Sequence, residues 1–453
     1  MGGKGLLTAI TAALMLVVGT PVGAAEDDVR TRLQDLEKKL QGYEQLKEEV
    51  ERLKAQVRAE EGAAKQRAEA KPAAPALPDW VSKITPFGDI RVRNETFLRS
   101  GDRDRLRQRF RLRFGLKVKP NDEIDFGLKL ASGNASDPIS NNQTFTDDST
   151  FKNINIANAY LKLAPSKSLG LERAWFTVMG GKFDVPMYTA TRLVLDGDLT
   201  PEGFFESFQL VDRKGGVLRG LALNLGQWIF QENSSTGEGA IYGFQGATRL
   251  AFGDVAVNLG VGDYLYVKES SIAVARNRNT ALSITNTVTL SDGTVVGGRP
   301  IDPTKFGLNK DGKDAEGNPI TIKRLNNQFN DLNVGGDLTI PTGMKAFPVK
   351  LFGDYVNNTE ASGSDDQGFQ VGAMIGSSKE PGDVFFSYAY QRLETDAVVS
   401  AFGDSDFGRD GGTNTEGHIL QTGYTLTKNL SFLSTAWITE PVDDVAGRNS
   451  NTD

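Results

Sequence analysis

The stretch Arg105–Lys119 alternates basic and apolar side chains over fifteen residues, and only Gln108 interrupts the apolar row. Successive side chains of a β-strand point to opposite faces, so the stretch predicts one strand with a basic face and an apolar face. A helical period would scatter the arginines around the whole circumference. Extended at about 3.3 Å per residue, such a strand could cross a tilted bilayer. We therefore expect lipid on one face and water on the other; an amphipathic strand of a soluble β protein is the alternative.

The same alternation recurs from Pro86 to the end of the chain, for example in Val255–Val261 and Phe369–Ile375. Short turn-like segments such as Gly253-Asp254 alternate with long polar segments such as Lys268–Asn326. Strands with apolar and polar faces, joined alternately by short and long connections, are typical of barrels in the bacterial outer membrane. The predicted fold is an all-β transmembrane barrel with antiparallel up-and-down topology and about 16 strands.

The number of strands raises a question about the carboxy-terminal end. About fifteen strands are recognisable, whereas single-chain bacterial barrels have an even number. The last recognisable strand, Leu430–Thr439, would run outward if the barrel begins in the periplasm. We therefore expect that the closing return strand is missing from this sequence.

The first 85 residues divide into three predicted segments. Residues 1–25 have a basic start, an apolar middle and small residues at the end, which is the form of a secretory signal peptide. Residues 26–61 predict a periplasmic coiled-coil helix, and residues 62–85 form a linker rich in Ala and Pro, followed by the barrel at 86–453. Steps of three and four separate the apolar positions of the coiled coil: Val29, Leu33, Leu36, Leu40, Leu46, Val50, Leu53 and Val57.

Composition narrows the classes of function. The chain has no cysteine, which excludes disulfides and thiol catalysis, and one histidine, His418, which excludes a histidine metal cluster. A net charge of -7 argues against a nucleic-acid partner. No nucleophile with a base partner stands out, so neither an enzyme nor a cofactor nor a metal site is predicted.

Several short motifs stand in order along the chain: Phe87–Arg93, Arg107–Gly115, Gly180–Phe183, Asp196–Gly203, Lys350–Tyr355 and Asp404–Phe407. Together they resemble the bacterial putative porin family, and the resemblance covers nearly the whole chain. It implies a signal peptide, an amino-terminal coiled coil, a barrel of about sixteen strands, passive diffusion of hydrophilic solutes and no catalytic residues. The missing closing strand departs from the family pattern.

Charges on the inner face are the candidate functional residues, because a water-filled barrel selects solutes by width and lining charge. The third long connection, Val185–Gly203, carries acidic residues, and in porins that this chain resembles the third loop folds into the lumen. We expect this acidic loop to face a basic wall across a constriction; the alternative is that the arginines pair with carboxylates and only stiffen the wall. The predicted lining comprises Arg91, Arg93, Arg105, Arg107, Arg109, Arg111, Arg113, Asp196, Asp198 and Glu202.

The favoured function is an outer-membrane channel for passive diffusion of small hydrophilic solutes and ions in a Gram-negative bacterium. Expected partners are membrane lipid and further copies of the chain, with a trimer as one option. Three alternatives remain open: an anion-selective porin of the phosphate type, a barrel that sheathes an electron-transfer partner, and a structural envelope tether. We expect aromatic residues to form interfacial girdles: Trp175, Trp228, Trp437, Tyr264, Tyr266, Tyr388 and Tyr390.

Overall fold

The computed structural model describes residues 25–69, 79–98, 103–232, 238–269, 272, 281–285, 288–289, 295–296, 321–325, 328–408 and 412–443. The chain divides into two units, Met1–Pro78 and Asp79–Asp453. Residues 1–24 of the predicted signal peptide and residues 70–78 of the predicted linker lie outside the described residues.

Helix α1 (Ala25–Glu69) is the described part of the first unit. It continues past the predicted end at Glu61, because residues 62–69 are mostly Ala, Lys, Gln, Arg and Glu, which favour helices. No helix in the described ranges is long and apolar enough to cross a membrane. The side chains of Val29, Leu33 and Leu40 lie outside the described residues. Five further predicted seam residues are 43–64% exposed in the single chain: Leu36, Leu46, Val50, Leu53 and Val57.

The second unit begins with the short helix α2 (Asp79–Ser82) and then consists of strands. Its main strands are β1 (Ile84–Phe97), β2 (Arg105–Asn121), β3 (Ile124–Ser132), β4 (Gln143–Thr144), β5 (Ile154–Leu163), β6 (Phe176–Lys182), β7 (Glu202–Asp212), β8 (Leu218–Gln231), β9 (Gly239–Phe252), β10 (Val255–Val267), β15 (Asn330–Ile340), β16 (Val349–Asn358), β17 (Gln367–Gly376), β18 (Val384–Leu393), β19 (Thr415–Thr427) and β20 (Leu430–Glu440). Between β10 and β15, β11 (Ala281–Thr285) pairs with β14 (Thr321–Leu325), and β12 (Val288–Thr289) pairs with β13 (Val295–Val296).

The main strands form one 16-stranded antiparallel sheet. They are hydrogen-bonded in chain order, β1-β2-β3-β5 through β10 and then β15 through β20, while the two-residue strand β4 pairs with β2. At the two ends of this order, the guanidinium of Arg93 in β1 lies 5.4 Å from the ring centre of Trp437 in β20. The predicted up-and-down barrel is confirmed. Fifteen strands stand in the hydrogen-bonded order, and β4 beside β2 brings the total in the sheet to sixteen.

The alternation seen in the sequence separates an outer face from an inner face. Ile90 and Val92 on β1 are 73% and 76% exposed in the isolated chain, whereas Glu95 on the opposite face is only 8% exposed. The register of β1 and β2 continues each face from one strand to the next. Ile90 of β1 lies opposite Leu112 of β2, and further apolar residues are paired in the same way. The outer face is therefore the apolar surface that a bilayer would cover.

Connections at the two ends of the strands differ in length. Those at one end range from two residues (122–123) to twelve (164–175) and include tight turns. The Asn121 side chain accepts a hydrogen bond from the Glu123 N–H (2.9 Å), and Gly253 adopts a positive φ of 62°. Both features are typical of tight turns. We number the connections at the other end L1 to L7 in chain order, at residues 98–104, 133–153, 183–201, 232–238, 268–329, 359–366 and 394–414.

Apolar residues of L3 and L7 pack against the inner face of β8 to β10. Trp228, Tyr264 and Tyr266 are at most 4% exposed, and the Tyr266 ring stacks on Phe402 of L7 with 6.5 Å between ring centres. The prediction that these three aromatic residues form an interfacial girdle is therefore wrong. They point inward because the inward-folded loops supply apolar partners there. The L3 and L7 residues of this cluster are Phe183, Met187, Leu193, Val194, Leu195, Leu199, Ala397, Val398, Val399 and Phe402.

A close approach between backbones at the start of β7 gives a testable prediction. Gly203 has a φ of 147°, and a Cβ atom there would lie 2.0 Å from the Gln227 carbonyl oxygen of β8. We expect Gly203→Ala to lower the free energy of unfolding by about 1–3 kcal/mol, because neighbouring backbone must shift. Urea unfolding in detergent, followed by circular dichroism, measures this change. Gly246→Ala is the matched control, since its Cβ would meet nothing within 4 Å; equal effects of the two substitutions would contradict the explanation.

Candidate functional site: the arginine ladder of the lumen

The register of β1 and β2 stacks charged residues in cross-strand pairs on the inner face. Arg91 lies opposite Arg111, Arg93 opposite Arg109 and Glu95 opposite Arg107. Such neighbours have Cβ atoms only about 5 Å apart, so like charges repel strongly unless carboxylates lie nearby. We call the following seven residues the arginine ladder: Arg91, Arg93, Arg105, Arg107, Arg109, Arg111 and Arg113.

Two carboxylates within the ladder strands relieve part of this repulsion. Glu95 Oε2 accepts a hydrogen bond from Arg107 Nε at 2.5 Å, and its Oε1 lies 2.8 Å from Arg93 Nε. Asp89 accepts hydrogen bonds from Arg111 Nη2 at 2.8 Å and from Arg113 Nε at 2.6 Å. Paired in this way, the arginines at both ends of the ladder are held in fixed positions.

Loop L3 runs between the ladder and the strands β15 and β16. At one end, Asp198 Oδ1 lies 3.6 Å from Arg113 Nη1 and 3.9 Å from Arg111 Nη1. At the other end, the Tyr188 hydroxyl donates to Asp337 Oδ2 (2.7 Å) on β15. The sequence prediction that this connection folds inward agrees with these contacts. Asp198, however, contacts the basic wall directly and does not face it across an open gap.

The other two predicted acidic residues have different surroundings. Asp196 is 4% exposed and accepts hydrogen bonds from the Ser405 N–H (2.8 Å) and the Asp198 N–H (2.6 Å). It therefore joins L3 to L7 and does not touch the ladder. Glu202 begins β7 and pairs with Lys182 of β6 at 3.0 Å, with 66% of its side chain exposed. Among the described residues, Glu202 forms its ion pair with Lys182 and not with an arginine of the ladder, so the structure does not bring it into the ladder.

Loop L7 supplies charged residues that the sequence analysis did not single out as lining. Asp406 accepts two hydrogen bonds from Arg93 Nη1, at 2.9 and 3.0 Å, and Asp404 lies beside it. Arg192 of L3 packs on Gly197, where a Cβ would lie 3.1 Å from its Nε. A sequence signal was present, because Asp404-Ser405-Asp406 repeats the Asp-x-Asp spacing of Asp196-Gly197-Asp198. Only folding brings the two motifs together.

Loop L2 contributes neutral polar groups to the middle of the ladder. Strand β4 pairs Thr144 with Arg109 and thereby holds L2 along β2. Arg91 Nη2 donates to Asn142 Oδ1 at 2.6 Å, and Arg109 Nη2 donates to Ser140 Oγ at 3.4 Å. Nothing in the alternation of the strands could have located these two loop residues.

Burial shifts the acidity of the carboxylates that join L3 to L7. It raises the pKa of Asp196 to about 7, and the neighbouring carboxylate of Asp404 adds to this rise. Burial likewise raises the pKa of Asp404 to about 6, with a further contribution from Asp406. The Arg192 guanidinium interacts with both carboxylates and with Asp406 and Asp198. Protonation of Asp196 and Asp404 therefore favours the contact between the loops.

These shifts predict how the contact between L3 and L7 depends on pH. Because both pKa values are raised above 3.8 on folding, the joined loops bind more protons than the separated loops, and the contact gains stability as the pH falls from about 8 to about 5. Hydrogen exchange of peptides from the two loops, corrected for intrinsic rates, should show stronger protection at the lower pH. Asp196→Asn should reduce this difference, whereas Asp212→Asn at the exposed end of β7 should not. Stronger protection at the higher pH would contradict the prediction.

A family model described as "Putative porin" matches residues 97–222 and 304–453, which together exceed half of the chain. No curated protein sequence matches.

Among solved structures, OprB of Pseudomonas putida has a TM-score of 0.44 at 11% identity, over 79% of this chain and 88% of that chain. OmpF of Salmonella typhi, solved with daunomycin, has a TM-score of 0.42 at 9% identity, over 81% and 92%. An anion-selective porin from Comamonas acidovorans has a TM-score of 0.40 at 12% identity, over 82% and 89%. Structural similarities of this size do not indicate which solutes this protein transports. On the family match, the chain belongs to the putative porin family, whose members are outer-membrane channel proteins and not enzymes.

Proposed function

We propose that this protein forms a water-filled channel through which small hydrophilic solutes and ions diffuse passively, with a preference for anions. The observation that carries the proposal is the charge of the arginine ladder. Its seven arginines outnumber the carboxylates within 4 Å of it in the described part of the chain, which are Asp89, Glu95, Asp198 and Asp406. Positive charge that is not neutralised attracts anions and repels cations in a narrow aqueous passage.

Partial exposure of the ladder supports contact with passing ions. The side chains of Arg93, Arg107, Arg109 and Arg111 are 13–16% exposed, and that of Arg113 is 27% exposed. These arginines are held by their partners, yet each keeps a surface open to water. In a lumen walled by protein, the field of such charges is screened less than on an open surface.

Loops L2, L3 and L7 support the restriction to small solutes. All three bring side chains to the ladder, and L3 also reaches Asp337 on β15. Their apolar residues form a buried cluster with inner-face aromatics such as Trp228 and Tyr264. Protein therefore occupies part of the cross-section at the L1–L7 end, and solutes pass beside the basic wall.

The lengths of the connections support an orientation in the outer membrane. Outer-membrane barrels place short turns in the periplasm and long loops outside the cell. With L1 to L7 outside, the first strand starts at the periplasmic end, and this supports a periplasmic position for the preceding helix α1 (Ala25–Glu69). The same orientation requires export, as the predicted signal peptide at residues 1–25 would provide.

The exposed seam of α1 supports a homo-oligomer, with a trimer as one option. Its described apolar residues are exposed in the single chain, and apolar residues at steps of three and four are covered when helices pair in a coiled coil. A second copy of the same helix has the matching pattern. Association through α1 would hold several barrels side by side.

Neutralising the ladder tests the channel proposal. We expect Arg107→Gln, Arg109→Gln and Arg111→Gln together to lower the anion-to-cation permeability ratio by about twofold or more, because the lumen loses three positive charges. Reversal potentials in planar bilayers under a salt gradient measure this ratio. The control replaces three exposed turn lysines, Lys167, Lys345 and Lys428, with glutamine. Equal ratios for the wild type and the ladder variant would reject the proposed role of the ladder.

Polar substitution in the seam tests association through α1. We expect Leu46→Asn with Leu53→Asn to dissociate the oligomer or to weaken it by about tenfold or more, since each asparagine places a polar group in an apolar contact. Analytical ultracentrifugation of the full chain in detergent gives the mass of the complex. Glu48→Asn with Lys54→Asn is the control on the same helix. An unchanged mass of the seam variant would show that the barrel, not α1, holds the copies together.

A further inference from the structure

Two arginines in the middle of the ladder differ from their neighbours in what they contact. Arg91 has no carboxylate within 4 Å in the described part of the chain; its side chain donates to the neutral Asn142. Arg109 donates to the neutral Ser140 and has only one carboxylate oxygen nearby, that of Glu95 at 3.8 Å. The Nε–H groups of both arginines are buried and have no hydrogen-bond partner. These two residues therefore carry donors and positive charge that the protein does not satisfy.

The position of the ladder carboxylates explains why the middle is left unpaired. Asp89 binds the two arginines at one end, Arg111 and Arg113, through hydrogen bonds of 3.1 Å or less. Glu95 binds Arg107 toward the other end and contacts Arg93. The carboxylates of the loops also lie toward the arginines that Asp89 and Glu95 contact. Asp198 approaches Arg111 and Arg113, and Asp406 accepts a hydrogen bond from Arg93.

Loop L2 places hydroxyl and amide groups at this unpaired position. Ser140 and Asn142 are 5% and 8% exposed, and the Asn142 amide donates to Ser140 Oγ at 3.1 Å. The loop is fixed there, because Ser132 Oγ donates to the Asn141 carbonyl oxygen (2.8 Å) and the Asn141 N–H donates to Asp198 Oδ2 (3.2 Å). The guanidinium groups of Arg91 and Arg109 and the polar side chains of Ser140 and Asn142 thus lie together on one part of the lumen wall.

We propose that Arg91 and Arg109, with Ser140 and Asn142, form a binding site for a tetrahedral oxyanion, the class to which phosphate and sulfate belong. The inference rests on the proposed channel function and names the anion that the lumen would select. Guanidinium groups present several N–H donors in fixed directions, which match an anion with several oxygen acceptors better than they match chloride.

Because the partners of Arg91 and Arg109 are neutral, a passing anion can replace them as hydrogen-bond acceptors. A hydrogen bond from arginine to an amide or hydroxyl oxygen is weaker than one to a charged oxygen, so an oxyanion can compete for Arg91 and Arg109. The carboxylates of Asp198 and Glu95 lie close by and limit the affinity by repulsion. A site of moderate affinity suits a channel, because the anion must both enter and leave.

Current through the reconstituted full chain tests the site. With rising sodium phosphate, the wild-type current should saturate, whereas with sodium chloride it should rise linearly over the same range of concentration. Arg91→Gln and Arg109→Gln should each raise the half-saturating phosphate concentration about tenfold or more, since each removes charge-assisted hydrogen bonds. Arg91→Lys, which keeps the charge but loses the fork of donors, should also raise it.

Lys117→Gln is the matched control, because Lys117 lies on the same face of β2 but its ammonium group sits 5.4 Å from the Phe87 ring centre. It removes one positive charge from the lumen and should leave saturation by phosphate in place. A linear wild-type phosphate current, or equal changes in the Arg91, Arg109 and Lys117 variants, would overturn the site and leave the channel intact. Sulfate should compete with phosphate, and failure to compete would restrict the site to a narrower class than we propose.

A second measurement separates failure of the site from failure of the channel. Calorimetric titration of phosphate into the detergent-solubilised chain should give saturable heat for the wild type and binding weaker by about tenfold or more for Arg91→Gln. Circular dichroism establishes that the variant keeps its strands, and Arg109→Gln replaces it if it does not fold. Absence of conductance with normal phosphate binding would reject the proposed channel alone; conductance without phosphate binding would reject the site alone.

Discussion

Repulsion among like charges on β1 and β2 is the constraint on which the arrangement of the other charged residues in the lumen depends. The register places Arg91 opposite Arg111 and Arg93 opposite Arg109. Positive charges on neighbouring strands repel each other, so each such pair opposes folding. Glu95 and Asp89 offset part of this within the strands. The remaining compensation comes from carboxylates of inward-folded loops, so the charge of the wall and the paths of the loops depend on each other.

Loops L3 and L7 are held inside the barrel by two kinds of interaction. Their carboxylates Asp198 and Asp406 approach the ladder, while Leu193 and Phe402 belong to a buried apolar cluster on the other side. Burial of apolar surface stabilises such a cluster without regard to direction, whereas the ion pairs fix where each loop lies. The inner side of the sheet therefore combines a basic wall with an apolar cluster that the inward-folded loops complete.

The arginines of the ladder differ in their partners according to their position along it. Arginines toward the two ends, such as Arg107 and Arg113, hold carboxylates at 2.5–2.6 Å and stiffen the wall. Arg91 in the middle meets a neutral amide. In the function we propose, the two explanations that the sequence left open for these arginines, a stiffened wall and a selective lining, apply to different members of one row.

The sequence alone determined the two faces of the sheet and the order of its strands, because strand alternation of period two and the spacing of turn residues are local properties. It predicted that Arg105–Lys119 is one strand with its arginines on one face, and that the connection at 185–203 contributes acidic residues to the lumen. The helix from Ala25 followed from its apolar steps of three and four, although its end at Glu69 did not.

Only the tertiary structure decided which charges meet. It brought Asp406 to Arg93 across 313 positions of sequence, kept Glu202 away on Lys182, and turned Trp228 and Tyr264 inward against loop residues. Contacts of this kind depend on how connections fold back into the barrel, and no periodicity records that path. Alternation tells which face a residue occupies; partners on loops, distant in the chain, determine whether its charge is paired or free.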